Sequence, residues 1–181
     1  KMDSFLKNKK TQYTPVNKQK YLSRDAVHLP FIHKKLYLTS AKGSAEIYSD
    51  QTANITVAGR QTVEFLRNHP SKYRAFVIVQ DTHNISYEHF KEIFKKASTL
   101  LEKQYNDKSI KEVIVSCHAG INRSVTLILF HDIKYKKIKT ANALKQKIDY
   151  IRNQNKRYRQ LPALINNTFE KYLYRYLKEK N

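Results

Sequence analysis

The chain has 181 residues, and its 35 Lys+Arg against 15 Asp+Glu give a formal charge of +20. At 40% hydrophobic and 12% aromatic content it carries enough apolar material to core one ordinary domain, which excludes disorder throughout despite that charge. A single cysteine excludes an internal disulfide framework and every multi-cysteine zinc site.

In chain order, residues 1–20 form a polar leader without the apolar run of a signal peptide. The leader is expected to be a mobile extension or an interaction arm, with a homodimer as one arrangement to test. Residues 21–181 are expected to be one domain. Leu36-Tyr37-Leu38 and Ile55-Thr56-Val57 read as short strands, and Ala75-Phe76-Val77-Ile78-Val79 as a fully buried one. The period then changes: Tyr87, Phe90, Ile93, Phe94, Ala97, Leu100 and Leu101 recur at helical spacing behind Ser86, placed to cap them. After a polar hinge at Asn106-Asp107-Lys108 comes a strand, Val113-Ile114-Val115, then a loop containing Cys117, then Val125 to Phe130, apolar on every side and so a buried helix. That run is far short of the roughly 20 residues that span a bilayer. Leu144, Ile148 and Ile151 behind Thr140 mark another helix. Leu164, Ile165, Phe169, Tyr172, Leu173, Tyr176 and Leu177 behind Pro162 mark the last. Continuous apolar strands separated by helices predict an α/β fold with a mostly parallel central sheet flanked by helices.

The charge is uneven: +7 over residues 1–35 (9 basic, 2 acidic), +2 over 36–110 (10 and 8) and +11 over 111–181 (16 and 5). Between Asp132 and Gln160 lie 10 positive and 2 negative residues with Tyr135, Tyr150 and Tyr158 interleaved. Such a run is a solvated face that steers anionic substrates, or a contact for RNA or another polyanion.

The loop His118-Ala119-Gly120-Ile121-Asn122-Arg123 follows Cys117 between a buried strand and a buried helix. A tight strand-to-helix turn directs successive N–H groups and the positive end of the helix dipole into one concave spot suited to phosphate. Gly120, one of only three glycines, lets the chain wrap closely. Arg123 can fold across the turn and offer its planar fork to two phosphate oxygens. The same donors favour Cys117 as thiolate, a nucleophile placed beneath a bound phosphate.

Cys117-x5-Arg123-Ser124 resembles the signature loop of the cysteine-dependent protein tyrosine phosphatases. Ala119-Gly120-Ile121-Asn122-Arg123-Ser124 is most similar to the dual-specificity branch, including its poxvirus members. The resemblance covers roughly Leu36 to Leu177. It implies a dual-specificity-phosphatase-like fold and hydrolysis of phosphotyrosine and phosphoserine/threonine monoesters in proteins through a phosphocysteine intermediate, without metal or cofactor. It also implies a general acid and a hydroxyl that helps the thiolate depart. These roles fall on Cys117, Arg123, Asp81 and Ser124, with residues 118–123 as the phosphate-binding loop. Asp81 follows the strand that ends at Val79, where the family's acid lies. In one departure, Ser116 stands where the family usually has a His that tunes the thiolate through hydrogen bonds; a serine hydroxyl can still donate one such bond. His118 is expected at the rim. Removal of RNA 5′-terminal phosphate, phosphoinositide hydrolysis and a non-catalytic phosphate- or nucleic-acid-binding role stay open. The compartment expected is intracellular, cytoplasm or nucleus, or host cell or virion for a viral protein, where a reducing environment keeps Cys117 usable.

Overall fold

The computed structural model describes residues 25–47, 49–69 and 72–181; the leader expected over 1–20 lies outside them. Five strands form one sheet: β1 (Ala26–His28), β2 (Leu36–Thr39), β3 (Thr52–Ala58), β4 (Tyr73–Ile78) and β5 (Glu112–Ser116), in the order β1-β2-β5-β3-β4. All pairings are parallel except β1 with β2. The C-terminal ends of β2, β3, β4 and β5 therefore share one edge, and the loops that follow them converge there.

The central β3 is buried along its whole length, as its β-rich apolar pattern requires. The expectation of a fully buried Ala75–Val79 strand is corrected: β4 is an edge strand, Val77 is half-buried and Ile78 is 48% exposed. Two short helices, α1 (Ala41–Glu46) and α2 (Arg60–Arg67), cover one face by packing Ala41, Ala45, Val63 and Leu66 with Phe76 of β4. Neither was legible in the sequence, because two turns of helix give too few repeats of the apolar period to stand out.

The other face carries α3 (Tyr87–Asn106), α4 (Arg123–Lys134), α5 (Ala141–Arg159) and α6 (Asn167–Lys180). Ser86 caps α3 by accepting from the His89 N–H at 3.2 Å, and Thr140 caps α5 through Ala143 at 3.0 Å. The helix α4 is enclosed by the sheet and by α3, α5 and α6, which is why its sequence is apolar all round. Around it Phe90, Phe94, Phe130 and Phe169 pack with ring centroids 4.8–6.0 Å apart, and Tyr176 stacks on Phe130 at 4.1 Å. The last helix starts later than Pro162 suggested: Pro162–Asn166 is not helical, and Asn166 is the cap, accepting from Thr168 and Phe169 at 3.1 Å. Leu164, at φ 51°, donates its N–H to the Ile121 carbonyl at 2.8 Å, so tertiary bonds to the Cys117 loop override helix here.

At the opposite end of α4 from that loop lies a buried charge cluster. His131 faces Glu102 through Nε2 at 2.5 Å and Asp132 through Nδ1 at 3.1 Å, and Lys147 donates to the second Asp132 oxygen at 2.6 Å. Burial alone would raise both carboxyls. Bonds from His131 to each, from Asn106 to Glu102 and from Lys147 to Asp132 outweigh it and hold both below their ordinary values. Nearby His33, stacked on Tyr105 at 3.9 Å, is pushed down to about 4 by burial and then by the Lys137 and Lys35 charges. A depressed histidine binds its proton more tightly in the unfolded chain. Its stabilisation is whole above the ordinary value of 6.5 and is lost as pH falls toward about 4. The carboxylates add a second loss as pH falls through and below their ordinary values of 4.5 and 3.8. The thermal midpoint is therefore expected to decline from about pH 6.5 downward and to steepen below about pH 4.5; a midpoint flat across that range would contradict this reading of the cluster.

Candidate active site

The sequence after β5 turns its carbonyls outward one by one, and each meets a donor. His118 O accepts from the Ala41 N–H at 3.1 Å, and Ala119 O accepts from Arg159 Nη2 at 2.7 Å. Gly120 O accepts from Arg159 Nη1 at 2.8 Å and from Asn155 at 3.3 Å. Ile121 O accepts from Leu164, and Asn122 O from the Thr126 N–H and hydroxyl at 2.9 and 2.7 Å. With the carbonyls engaged elsewhere, the Gly120 and Ile121 N–H groups are left to face the sulfur of Cys117. Gly120 is required twice over. Its φ is +71°, and a Cβ there would stand 2.7 Å from both Arg159 Nη1 and the Thr39 carbonyl.

Arg159 itself is buried and anchored by Asp25 at 3.0 Å and Asn155 at 2.9 Å; Asp25 in turn accepts from the Ser40 hydroxyl. One guanidinium at the end of α5 thus fixes two peptide units of the loop. In sequence Arg159 is one of many cations in a basic run, and nothing in that run separates it from its neighbours.

Cys117 is 2% exposed. Its Sγ lies 3.2 Å from Ser124 Oγ and accepts from the Gly120 N–H at 3.2 Å. Burial would raise this thiol. The Ser124 hydroxyl, the Ser124 N–H, the Arg123 charge and the Ile121 N–H together outweigh burial and bring it below its ordinary value of 9.0. The Ser116 hydroxyl pairs with Thr56 Oγ1 at 2.8 Å across the sheet, so the donors to sulfur come from the loop and α4 rather than from β5.

Arg123, 9% exposed, donates Nη1 to the Val79 carbonyl at 2.9 Å. Its Nε is buried with no hydrogen-bond partner among the described residues. A donor in that condition costs stability unless an acceptor arrives, and beside inward amides the acceptor that fits is an oxyanion. The same arginine thus ties down the loop that carries Asp81 while keeping a donor free.

Asp81 is exposed just beyond β4, and both its oxygens are engaged: Asn122 Nδ2 donates to one and Asn166 Nδ2 to the other, each at 2.8 Å. Asn122 Oδ1 accepts from the Ile165 and Asn166 N–H groups at 2.8 and 3.0 Å, and Asn166 also donates to the Thr82 carbonyl. Two asparagines therefore clamp three segments, the Asp81 loop, the Cys117 loop and the start of α6. Nothing in the sequence singles out Asn166; both its capping of α6 and its bonds to the Asp81 loop emerge only in the structure. His118 is exposed, with Nδ1 3.2 Å from Thr62 Oγ1, which places it at the rim. The structure brings Cys117, Arg123, Ser124 and Asp81 to one edge of the sheet.

A family model of the dual specificity phosphatase catalytic domain matches residues 36–179. The chain belongs to this family. It is a cysteine-dependent protein phosphatase of the dual-specificity type. Solved structures that share the fold with this phosphatase include Cydia pomonella PTP-2 phosphatase, at 16% identity and TM-score 0.58 over 82% of this chain and 88% of that one. Human DUSP28 is 15% identical with TM-score 0.54 over 86% and 94%. Human tyrosine phosphatase-like serine/threonine/tyrosine-interacting protein is 16% identical with TM-score 0.51 over 87% and 97%. No curated protein sequence matches the phosphatase significantly. Among the described residues no helix is long and apolar enough to cross a membrane.

Proposed function

We propose that residues 21–181 form a single catalytic domain that hydrolyses phosphotyrosine and phosphoserine/threonine monoesters in proteins in two steps, using Cys117, Arg123, Asp81 and Ser124. Cys117 Sγ attacks phosphorus; the S–P bond forms as the ester P–O bond breaks, and Asp81, protonated, gives its proton to the leaving oxygen. Water then attacks the phosphocysteine while the Asp81 carboxylate takes its proton. Inorganic phosphate leaves, and the departing thiolate accepts from Ser124. The amides of residues 118–123 and Arg123 stabilise charge on the equatorial oxygens in both steps, because they are aimed before substrate arrives. The observation that carries the proposal is the buried, unpartnered Arg123 Nε beside a thiol whose proton affinity is already lowered.

The test is parallel turnover of a phosphotyrosine peptide, a phosphoserine peptide and triphosphate-ended RNA. Comparable turnover of the two peptides is expected, with RNA slower; RNA as the only substrate would replace this proposal by the RNA 5′-phosphatase alternative. The basic C-terminal half, with Tyr150 packed on Phe31 and Tyr158 beneath Arg157, supports a steering role more than base stacking, since these rings are already engaged. RNA or other polyanion contact along that half, and a homodimer, extend the proposal; electrophoretic mobility shift and sedimentation read them separately.

A further inference from the structure

Beside the phosphate-binding loop lies an open groove of about 590 Å³, within the range of roughly 300–1,000 Å³ typical of ligand sites. Its apolar floor is Leu161, Pro162, Ala163 and Ile165, and its helical wall carries Arg152 and Lys156 of α5. The groove neighbours the site through Ile165, whose N–H bonds Asn122, the residue before Arg123. Ile165 is 56% exposed and, with Leu161 and Pro162, gives the groove an apolar surface open to solvent.

The floor is held in place: Arg152 donates Nε to the Ala163 carbonyl at 3.0 Å and Nη2 to the Leu164 carbonyl at 2.8 Å, and it shares its charge with Glu170 at 3.2 Å. Lys156 is exposed and has no ion-pair partner among the described residues. Among the described residues, no acidic and no aromatic side chain lines the groove.

These features select among occupants. The leader's residues 1–20 carry six cations (Lys1, Lys7, Lys9, Lys10, Lys18 and Lys20) against Asp3, and a second copy of a +20 chain is also cationic, so both mismatch Lys156 in charge. A nucleotide strand would find no ring to stack on. We propose that the groove takes the stretch of a phosphoprotein substrate flanking its phosphorylated residue, seating an apolar side chain on Leu161, Pro162 and Ile165 and a carboxylate at Lys156. This rests on the phosphatase reading above and deepens it by naming the substrate sequence: an apolar and an acidic residue close to the phosphoresidue on one side.

The test reads binding on the Cys117→Ser protein, so that affinity does not depend on turnover. Three phosphotyrosine peptides are compared, each with the flank placed before and after the phosphoresidue: one with Leu and Glu, one with Glu replaced by Lys, one with Leu replaced by Ser. The Leu/Glu peptide is expected to bind about 10-fold more tightly than either variant on one of the two sides, corresponding to about 1.4 kcal/mol per contact. Lys156→Glu is expected to abolish or reverse the Glu-over-Lys preference, and Leu161→Ser to abolish the Leu-over-Ser preference. Lys180→Glu, at the far end of α6, changes net charge equally and is expected to leave both intact. The proposal fails where the peptide preferences are absent, survive Lys156→Glu, fall equally in Lys180→Glu, or stay unchanged while Lys156→Glu weakens binding of triphosphate-ended RNA. Turnover of a small aryl phosphate by the parent protein separates the two readings. No turnover with peptide preference intact removes the phosphatase mechanism and leaves the groove; turnover without preference removes the groove alone.

Discussion

Replacing Cys117 with Ser is expected to bring turnover of a small aryl phosphate to background, a loss on the order of 10⁶ in kcat, the scale seen when another covalent nucleophile is removed. The reason lies in what the surrounding donors can do for each atom. The Ser124 hydroxyl and N–H, the Arg123 charge and the Ile121 N–H outweigh the burial of the thiol and draw it below its ordinary value, which favours the thiolate over the thiol. A serine hydroxyl starts several pH units higher, and the same donors cannot ionise it. The substitution is nearly isosteric and keeps the contact with Ser124, so the protein is expected to fold and to keep binding phosphopeptide. Retained activity in this variant, measured on protein free of parent enzyme, would remove the nucleophile from Cys117.

Asp81→Asn is expected to slow hydrolysis of phosphoserine and phosphotyrosine peptides by about 10²–10⁴, the usual contribution of a general acid. The loss should grow with the basicity of the leaving oxygen, largest for a serine alkoxide, smaller for a tyrosine phenolate, and small for a diphosphate leaving group or an activated aryl phosphate. That gradient distinguishes a lost proton donor from general damage. The clamp around Asp81 makes the distinction necessary. Asn122 and Asn166 both donate to this carboxylate, so an amide at position 81 sets one NH₂ group against another donor and disturbs the loop. Asp81→Ala removes that conflict along with both bonds. The two variants are expected to share the leaving-group gradient in kcat and to differ mainly in KM. A uniform loss across all leaving groups would assign Asp81 to loop structure instead of proton transfer.

The fold was legible wherever hydrophobic period or continuity persisted. The strands at Leu36, Ile55, Ala75 and Val113 and the helices behind Ser86 and Thr140 all stand where the pattern put them, because each buries a long apolar face against the same core. The apolar run from Val125 to Phe130 was likewise a sound sign of enclosure, and α4 lies between the sheet and three helices. Legibility ended where tertiary bonds replaced periodicity. Edge position exposed Ile78 in a strand whose composition matches a central one. Bonds donated by Leu164 to the Ile121 carbonyl and by Ile165 and Asn166 to the Asn122 side-chain oxygen held residues 164–166 out of the last helix.

The placement of the candidate site divides along the same line. A short contiguous motif, Cys117 to Ser124, carries its geometry in its own spacing, and Asp81 was reachable because the parallel strand ends share an edge. Arg159, Asn155, Asp25 and Asn166 were not reachable. Each is an ordinary polar residue distant in sequence, and each acquires its part only by meeting a loop carbonyl or the Asp81 carboxylate across 35 or more residues, or by supporting one that does. Ser116 shows the reverse case, a residue whose position beside Cys117 suggested a bond to sulfur while the strand's alternation aimed its hydroxyl at Thr56 instead.

The central claim is that the phosphoryl group passes through the sulfur of Cys117. The most direct measurement is acid quench of the Ser124→Ala protein during turnover of a phosphotyrosine peptide, followed by mass analysis of its peptides. Without the hydroxyl that accompanies the departing thiolate, breakdown is expected to become rate-limiting, and a covalent phosphoryl group should accumulate on the peptide containing Cys117 toward one per enzyme. Turnover that proceeds with no phosphorylated peptide, or with the label on another residue, would contradict the account.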